Sequence, residues 1–158
     1  MPHKILFVCL GNICRSPAAE GVFLHKIKEK GIEENFIVDS AGTSGYHQGE
    51  QADARMQMHA ERRGIVLPNL SRKIFAEDLA KFDLILAMDS SNFDDICSLD
   101  RGEEYRSKIR MFMDFGRGEG SLNVPDPYYG GAAGFDTVLD MVEEASEGLI
   151  KHLEDGGN

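Results

Sequence analysis

Three residues of this chain have the types and spacing of a reaction site. Cys9 closes an apolar run, Ile5-Leu6-Phe7-Val8, and Arg15 follows six positions later across Leu10, Gly11, Asn12, Ile13 and Cys14. Such a run suits a strand buried on both faces, and Gly11 and Asn12 break it. Ser16-Pro17 then reads as a helix start, with Ser16 the N-cap, Pro17 at the first helical position and Glu20 an acid in the first turn. In a strand, loop and helix of this size, loop N–H groups and the helix N-terminus converge on one phosphate-sized volume. Cys9 would place its sulfur among those donors, where the nucleophilic thiolate form is favoured. Arg15, at the far end of the loop, has the planar fork that holds two oxygens of a phosphoryl group. Gly11 and Asn12 are both expected to take positive φ, which turns N–H groups inward. Without that chemistry, the same residues make a βα turn with an ordinary buried cysteine.

A second centre lies far along the chain. Asp126 stands between Pro125 and Pro127, which limit where its carboxyl can point. A positioned acid that protonates a departing phenolate or alkoxide is worth about 10²–10⁴ in rate. Tyr128 and Tyr129 follow at once and set aromatic surface beside Asp126, as one side of a slot for a flat phenyl ring. Contacts of that kind add about 0.5–1.5 kcal/mol beyond area burial. The slot favours an aryl phosphate over a short alkyl phosphate, which would leave the walls uncontacted. Taken singly, Asp-Pro is a common turn, Tyr46 is simple packing, and His47 beside it reads as a solvated loop histidine.

The string V-C-L-G-N-I-C-R-S-P at Val8 to Pro17 resembles the active-site signature of the low-molecular-weight protein tyrosine phosphatases. The likeness continues through V-D-S-A-G-T-S-G-Y at Val38 to Tyr46, F-D-L-I-L-A-M-D at Phe82 to Asp89 and V-P-D-P-Y-Y-G at Val124 to Gly130. It covers nearly the whole chain. The resemblance implies Cys9 as nucleophile, Arg15 as transition-state clamp and Asp126 as general acid and later base. Ser16 would donate a hydroxyl to the thiolate, Asn12 would fix the loop's shape, and Ser40 would support the loop from behind. Leu10, Gly11, Asn12, Ile13, Cys14 and Ser16 would line the substrate, with Tyr46, Tyr128 and Tyr129 as walls and Asp89 and Asn92 at the rim. Capping of the next helix is the equal alternative for Asp89 and Asn92. Many members carry histidine where Asn69 stands, which puts the loop's rigidity in question more than its chemistry.

The implied substrate is a phosphotyrosine protein or peptide, or a small aryl phosphate. Hydrolysis would run through a phosphocysteine, with inorganic phosphate as product and no cofactor. The histidines are scattered and the C-x₄-C pair has one further cysteine, which matches no usual zinc pattern. Cys14, close to Cys9 in the loop, would join it reversibly on oxidation and spare it from higher oxides; a tolerated loop residue is the plainer reading. Tyr128 and Tyr129 would themselves be phosphorylation sites by analogy with the family.

The positioning elements can be read in order. Ala19, Val22, Phe23 and Ile27 form one apolar face of the first helix, ended by Gly31, and Phe36-Ile37-Val38 begins a second strand. Helical composition runs from Ala52 to Arg63 with methionines as core filler, then an extended connection from Ile65 to Lys73. Phe82 to Met88 and Ile109 to Met113 read as strands three and four, with a helical segment from Asn92 to Ser98 between them and Cys97 a small hydrophobe within it. A polar, Gly-rich loop from Gly116 to Asn123 follows. Val138, Met141, Val142, Ala145, Leu149 and Leu153 make the stripe of a closing helix. Gly130, Gly131 and Gly134 follow no strand and are not a dinucleotide fingerprint. This alternation predicts a doubly wound α/β fold with helices on both faces of a four-stranded parallel sheet. The resemblance implies the flavodoxin-like order 2-1-3-4.

Length and composition set bounds. A chain of 158 residues, 42% hydrophobic, is expected to be one domain, 1–158, with a real core. Net charge −10 and the lack of a basic stripe argue against nucleic acid. That charge also opposes a dianionic substrate at long range, but screening confines it to about 8 Å at physiological salt. No run approaches about 18 apolar residues and no leader pattern precedes the first strand, so no membrane insertion is expected. Three cysteines without such a leader suit a reducing, cytoplasmic setting, and a monomer is expected. Two rival readings remain. A thioredoxin-coupled arsenate reductase shares the C-x₅-R loop but needs two further close cysteines, where this chain has only Cys97. A catalytically silent phosphotyrosine-binding module would not need Cys9, Arg15 and Asp126 together.

Overall fold

The strand that ends at the nucleophile is the middle of the sheet. In the computed structural model, which describes residues 2–67, 70–116, 122–128 and 130–157, β1 (His3–Cys9) lies between β2 (Phe36–Gly42) and β3 (Leu84–Ala87). β4 (Ile109–Met111) pairs with β3, and all pairings are parallel, in the order β2-β1-β3-β4. The register sets Cys9 opposite Gly42 and Val8 opposite both Ala41 and Ala87. The carboxyl ends of the three longer strands therefore open on one side, where ligands of open α/β sheets bind.

Among the described residues, five helices cover the sheet: α1 (Arg15–Glu29), α2 (Ala54–Glu61), α3 (Ala76–Lys81), α4 (Ser90–Leu99) and α5 (Ala133–Glu154). Side chains alternate across β1, so Ile5, Phe7 and Cys9 face the core built with α1, α2 and α5, while Leu6 and Val8 face Leu79, Phe82 and Ile96. Both faces are dry, which is why the strand reads as an unbroken apolar run. Phe7 packs edge-on against Phe112 at 5.0 Å and tilted against Phe23 at 5.8 Å, so the floor beneath the nucleophile is rigid aromatic surface.

Several boundaries differ from the expectation. α1 begins at Arg15 with Cys14 at the N-cap position, ahead of the expected Ser16 cap, and its first turn holds no acid. Glu20 is instead buried in the helix, where it accepts a bond from Ser40. α2 is shorter than Ala52 to Arg63 because the Asp53 carboxylate caps it, accepting from the N–H groups of Arg55 and Met56. Met56 is core filler, but Met58 on the same helix is exposed. β3 and β4 are also shorter than read; after Met111 the chain tightens into a 3₁₀ turn, Phe112–Phe115, and Met113 leaves the sheet. The sequence reading missed α3, whose six residues are too few for a periodic signal. Cys97 is only partly buried. The residues expected on α1 and α5 do form their buried stripes, Met141 only partly covered, and Gly31 takes φ +69 just past the end of α1.

α5 packs so closely on the 3₁₀ turn that a methyl at Gly148 would collide with the Phe115 carbonyl. Backbone cannot yield as a flexible side chain does. Gly148→Ala is therefore expected to destabilise the fold by about 1–3 kcal/mol despite its better helix propensity. Urea unfolding monitored by circular dichroism measures it, and an unchanged or raised midpoint would refute the close approach.

Candidate active site

The loop between β1 and α1 is held from outside by its carbonyls. Cys9 C=O accepts from Thr43 N–H at 2.9 Å, Leu10 C=O from Ser44 N–H at 2.9 Å, Gly11 C=O from the Ser71 hydroxyl at 2.9 Å and Ile13 C=O from Asp53 N–H at 2.8 Å. With four carbonyls tied to surrounding segments, the N–H edge of the loop turns toward the sulfur. The Asn12 N–H donates to Cys9 Sγ at 3.3 Å. Gly42, beside Cys9 in register, lets the backbones meet, since a Cβ there would lie 2.7 Å from the Leu10 carbonyl oxygen.

Asn12 organises the back of this loop. It takes φ +55, whereas Gly11 does not have positive φ. Gly11 is required for room instead, because a Cβ would press to 3.0 Å on the His47 ring. The Asn12 amide oxygen accepts from Arg72 N–H at 3.0 Å, which orients its NH₂ group toward two hydroxyls, Ser16 Oγ at 2.8 Å and Ser40 Oγ at 2.9 Å. Ser40 in turn donates to Glu20 Oε1 at 2.7 Å. Ser16, already accepting from Asn12, has one proton left to give. Its nearest acceptor is Cys9 Sγ at 3.0 Å, with the Ala41 carbonyl farther at 3.4 Å. The relay thus points a hydroxyl proton at the sulfur, the arrangement that stabilises a thiolate.

Arg15 is 3% exposed at the start of α1. Its Nη1 donates to Asp89 Oδ2 at 2.5 Å and to the Val124 carbonyl at 3.2 Å, and its Nη2 lies 3.6 Å from Asp126 Oδ2. Burial works against the cation, but Cys9 and Asp89 outweigh it and hold the guanidinium above its ordinary range. It is charged at every relevant pH. Asp89 does two jobs, since its other oxygen accepts from Asn92 N–H at 2.7 Å and caps α4.

Asp126 reaches the same place from the opposite wall. Val124 N–H donates to the Met88 carbonyl at 2.8 Å, which anchors the segment at the end of β3, and Asp126 Oδ1 accepts from Tyr128 N–H at 3.0 Å. Sulfur, guanidinium and carboxyl border one cavity of about 400 Å³. Of the expected residues, Cys9, Leu10, Gly11, Ile13, Cys14, Arg15, Tyr46, Asp126 and Tyr128 line it. Asn12, Ser16 and Ser40 lie behind it as supports, and Asp89 stands behind Arg15. Asn92 does not reach the cavity: it is buried in the first turn of α4, with its Oδ1 unpartnered. Asn69 and Tyr129 lie outside the described residues.

The sequence reading missed Ser44 and underrated His47. Both line the cavity, and His47 is held rather than solvated, with Nδ1 2.9 Å from Glu50 and its ring 4.8 Å from Tyr46 and 6.0 Å from Tyr128. Tyr46 itself is 84% exposed, a wall at the mouth and not a packing residue. The adjacency of His47 to Tyr46 was a usable signal for it. Among the described residues, no group of three or more His, Cys, Asp or Glu side chains is placed to hold a metal, and no helix is long and apolar enough to cross a membrane.

This geometry agrees with what the chain is similar to. Residues 4–157 match the family model for low molecular weight phosphotyrosine protein phosphatase. The chain belongs to that family. The low molecular weight phosphotyrosine protein phosphatase of Homo sapiens is 44% identical over 139 residues, 87% of this chain and 87% of the relative. The protein tyrosine phosphatase structure from Entamoeba histolytica with Hepes in the active site superposes with a TM-score of 0.92 at 48% identity, covering 98% of each chain. A Drosophila structure described as an arginine phosphatase has a TM-score of 0.90 at 30% identity, covering 96% of this chain and 98% of that one. The phosphatase family consists of hydrolases with a cysteine nucleophile, and this chain is an enzyme of that class.

The two loop cysteines of this phosphatase are both free and buried. Burial, helped by the carboxylate of Asp53, pushes the Cys14 thiol far up. A thiol so raised stays neutral where a free cysteine, near about 8.5, ionises. Brief alkylation of the folded protein between about pH 7.5 and pH 9 is expected to leave Cys14 unmodified, as read by peptide mass mapping. Labelling of Cys14 at the rate of a free thiol would contradict its burial.

Proposed function

We propose that this phosphatase hydrolyses phosphotyrosine in proteins or peptides, and small aryl phosphates, with Cys9 as nucleophile, Arg15 as clamp and Asp126 as general acid and base. The observation that carries the reading is the meeting of Cys9 Sγ, the Arg15 guanidinium and the Asp126 carboxyl on one cavity with Tyr46, His47 and Tyr128 at its walls. Cys9 Sγ attacks phosphorus as the P–O bond to the leaving group breaks, and Asp126 gives that oxygen its proton. The phosphoryl oxygens meet the loop N–H groups and the Nη2 side of Arg15, whose Nη1 is already fixed by Asp89 and Val124. Water then attacks the phosphocysteine while Asp126 takes its proton, releasing inorganic phosphate and restoring the Ser16-bonded thiolate. The apolar faces of Ile13 and Leu10 along the cavity support a flat aryl group between the walls. No cofactor enters these steps, and a cytoplasmic, monomeric enzyme suits them.

The test is metal-independent phosphate release, with EDTA present, from a phosphotyrosine peptide, a phosphoserine peptide and phosphoarginine. Phosphotyrosine is expected to be the preferred substrate. Cys9→Ser should abolish turnover, and Asp126→Ala should lower kcat/KM for phosphotyrosine by about 10²–10⁴. Normal turnover by Cys9→Ser would refute the nucleophile, and preference for phosphoarginine would move the substrate to that of the Drosophila neighbour.

A further inference from the structure

Arg55 takes no part in the steps above and does not line the cavity. It stands in the first turn of α2, outside the acid segment, yet it reaches that segment at Tyr128. Its Nη2 donates to the Tyr128 carbonyl at 3.2 Å, and its Cζ lies 5.5 Å from the centre of the Tyr128 ring and 4.9 Å from that of Phe135. The guanidinium is itself held in place by Asp53, which accepts from Nε at 3.1 Å and Nη2 at 2.9 Å. The backbone N–H of the same Asp53 donates to Ile13 in the phosphate loop at 2.8 Å.

A continuous chain of bonds therefore runs from the nucleophile's loop to the acid: Ile13 to Asp53, Asp53 to Arg55, Arg55 to Tyr128, and Tyr128 N–H to Asp126 Oδ1. The near end of the acid segment is fixed separately, at Val124, by Met88 and Arg15. Pro125, Asp126 and Pro127 span the interval between the two anchors. A stiff span held at one end can still swing. Held at both, it has one place for its carboxyl, and proton transfer depends on sub-ångström placement.

We infer that Arg55 is a positioning residue for the general acid, fixing the far end of the Asp126 segment to the helix that also grips the phosphate loop. The inference rests on the proposed role of Asp126. An isolated exposed pair such as Asp53 with Arg55 contributes little by itself. What gives it consequence here is that, while Asp53 holds the fork, one Nη2 bond reaches the Tyr128 carbonyl and the planar face meets the Tyr128 and Phe135 rings, so its loss frees a catalytic segment.

The readout is the dependence of kcat/KM on leaving group. Arg55→Ala should lower kcat/KM for phosphotyrosine or phenyl phosphate by about 10-fold or more. With 2,4-dinitrophenyl phosphate, whose leaving group departs with little need of a proton, the loss should stay under about 2-fold. Arg55→Lys, which keeps the cation but not the fork, should fall between wild type and Arg55→Ala on phenyl phosphate. In an Asp126→Ala background, Arg55→Ala should cost nothing further. The ratio between two substrates does not depend on the folded fraction, so a destabilised variant still reports. Equal losses on both substrates, additivity with Asp126→Ala, or no loss at all would overturn the inference. If Asp126→Ala itself left phenyl phosphate hydrolysis unchanged, the acid assignment would fall and the inference with it; an impaired Asp126→Ala beside a silent Arg55→Ala would remove the inference alone.

Discussion

The side-chain amide of Asn12 is the interaction on which the rest of the site depends. It is the residue of the loop with left-handed backbone, and its amide joins Arg72 N–H on one side to Ser16 and Ser40 on the other. Each such bond is worth only about 0.5–1.5 kcal/mol net, but leaving a buried partner unmade costs about 1–3 kcal/mol. The relay matters more for direction than for strength. Because Ser16 already accepts from Asn12, its proton is turned toward the sulfur, and the hydroxyl becomes a donor to a developing anion.

Arginine and carboxylates are balanced around that anion. The chain carries net charge −10, yet the buried Arg15 faces Cys9, Asp89 and Asp126 at close range. Breaking such a buried pair by removing one member typically costs about 3–5 kcal/mol, because the other charge is stranded. Asp89 therefore holds the guanidinium in one orientation, and by capping α4 it ties that orientation to the sheet end. A long-range repulsion that salt screens is a small opponent to a local field built this way.

Two anchoring systems converge on the cavity from opposite directions. The phosphate loop is fixed by bonds to its outward carbonyls from residues 43, 44, 53 and 71, all far from it in the chain. The acid segment is fixed at Val124 by Met88 and Arg15 and meets α2 through Arg55. Several of these bonds come from the strand ends and the N-cap of α2, so rigid elements help to set the distance between nucleophile and acid.

Local chemistry was legible in the sequence. Whereas Asp126 and the tyrosine walls stood out through the resemblance to the family, Cys9 at a strand end with Arg15 six residues on, the parallel sheet and the stripes of α1 and α5 follow from residue type and spacing. These depend on interactions within a few residues, or on periodicities that burial imposes directly. Boundaries were less legible. Ser16-Pro17 has the pattern of a cap, but the loop's bonds to distant segments start α1 at Arg15 and send Ser16 to the sulfur instead. Glu20 looked like a first-turn acid and is a buried acceptor for Ser40. Asn92, read as a rim or a capping residue, is buried in the first turn of α4, while His47 looked solvated and lines the cavity. Glu20 meets Ser40 on β2 and His47 meets Tyr128 of the acid segment, contacts that only folding makes. Residue type determined what each side chain is able to do; packing between distant segments decided which of them face the same cavity.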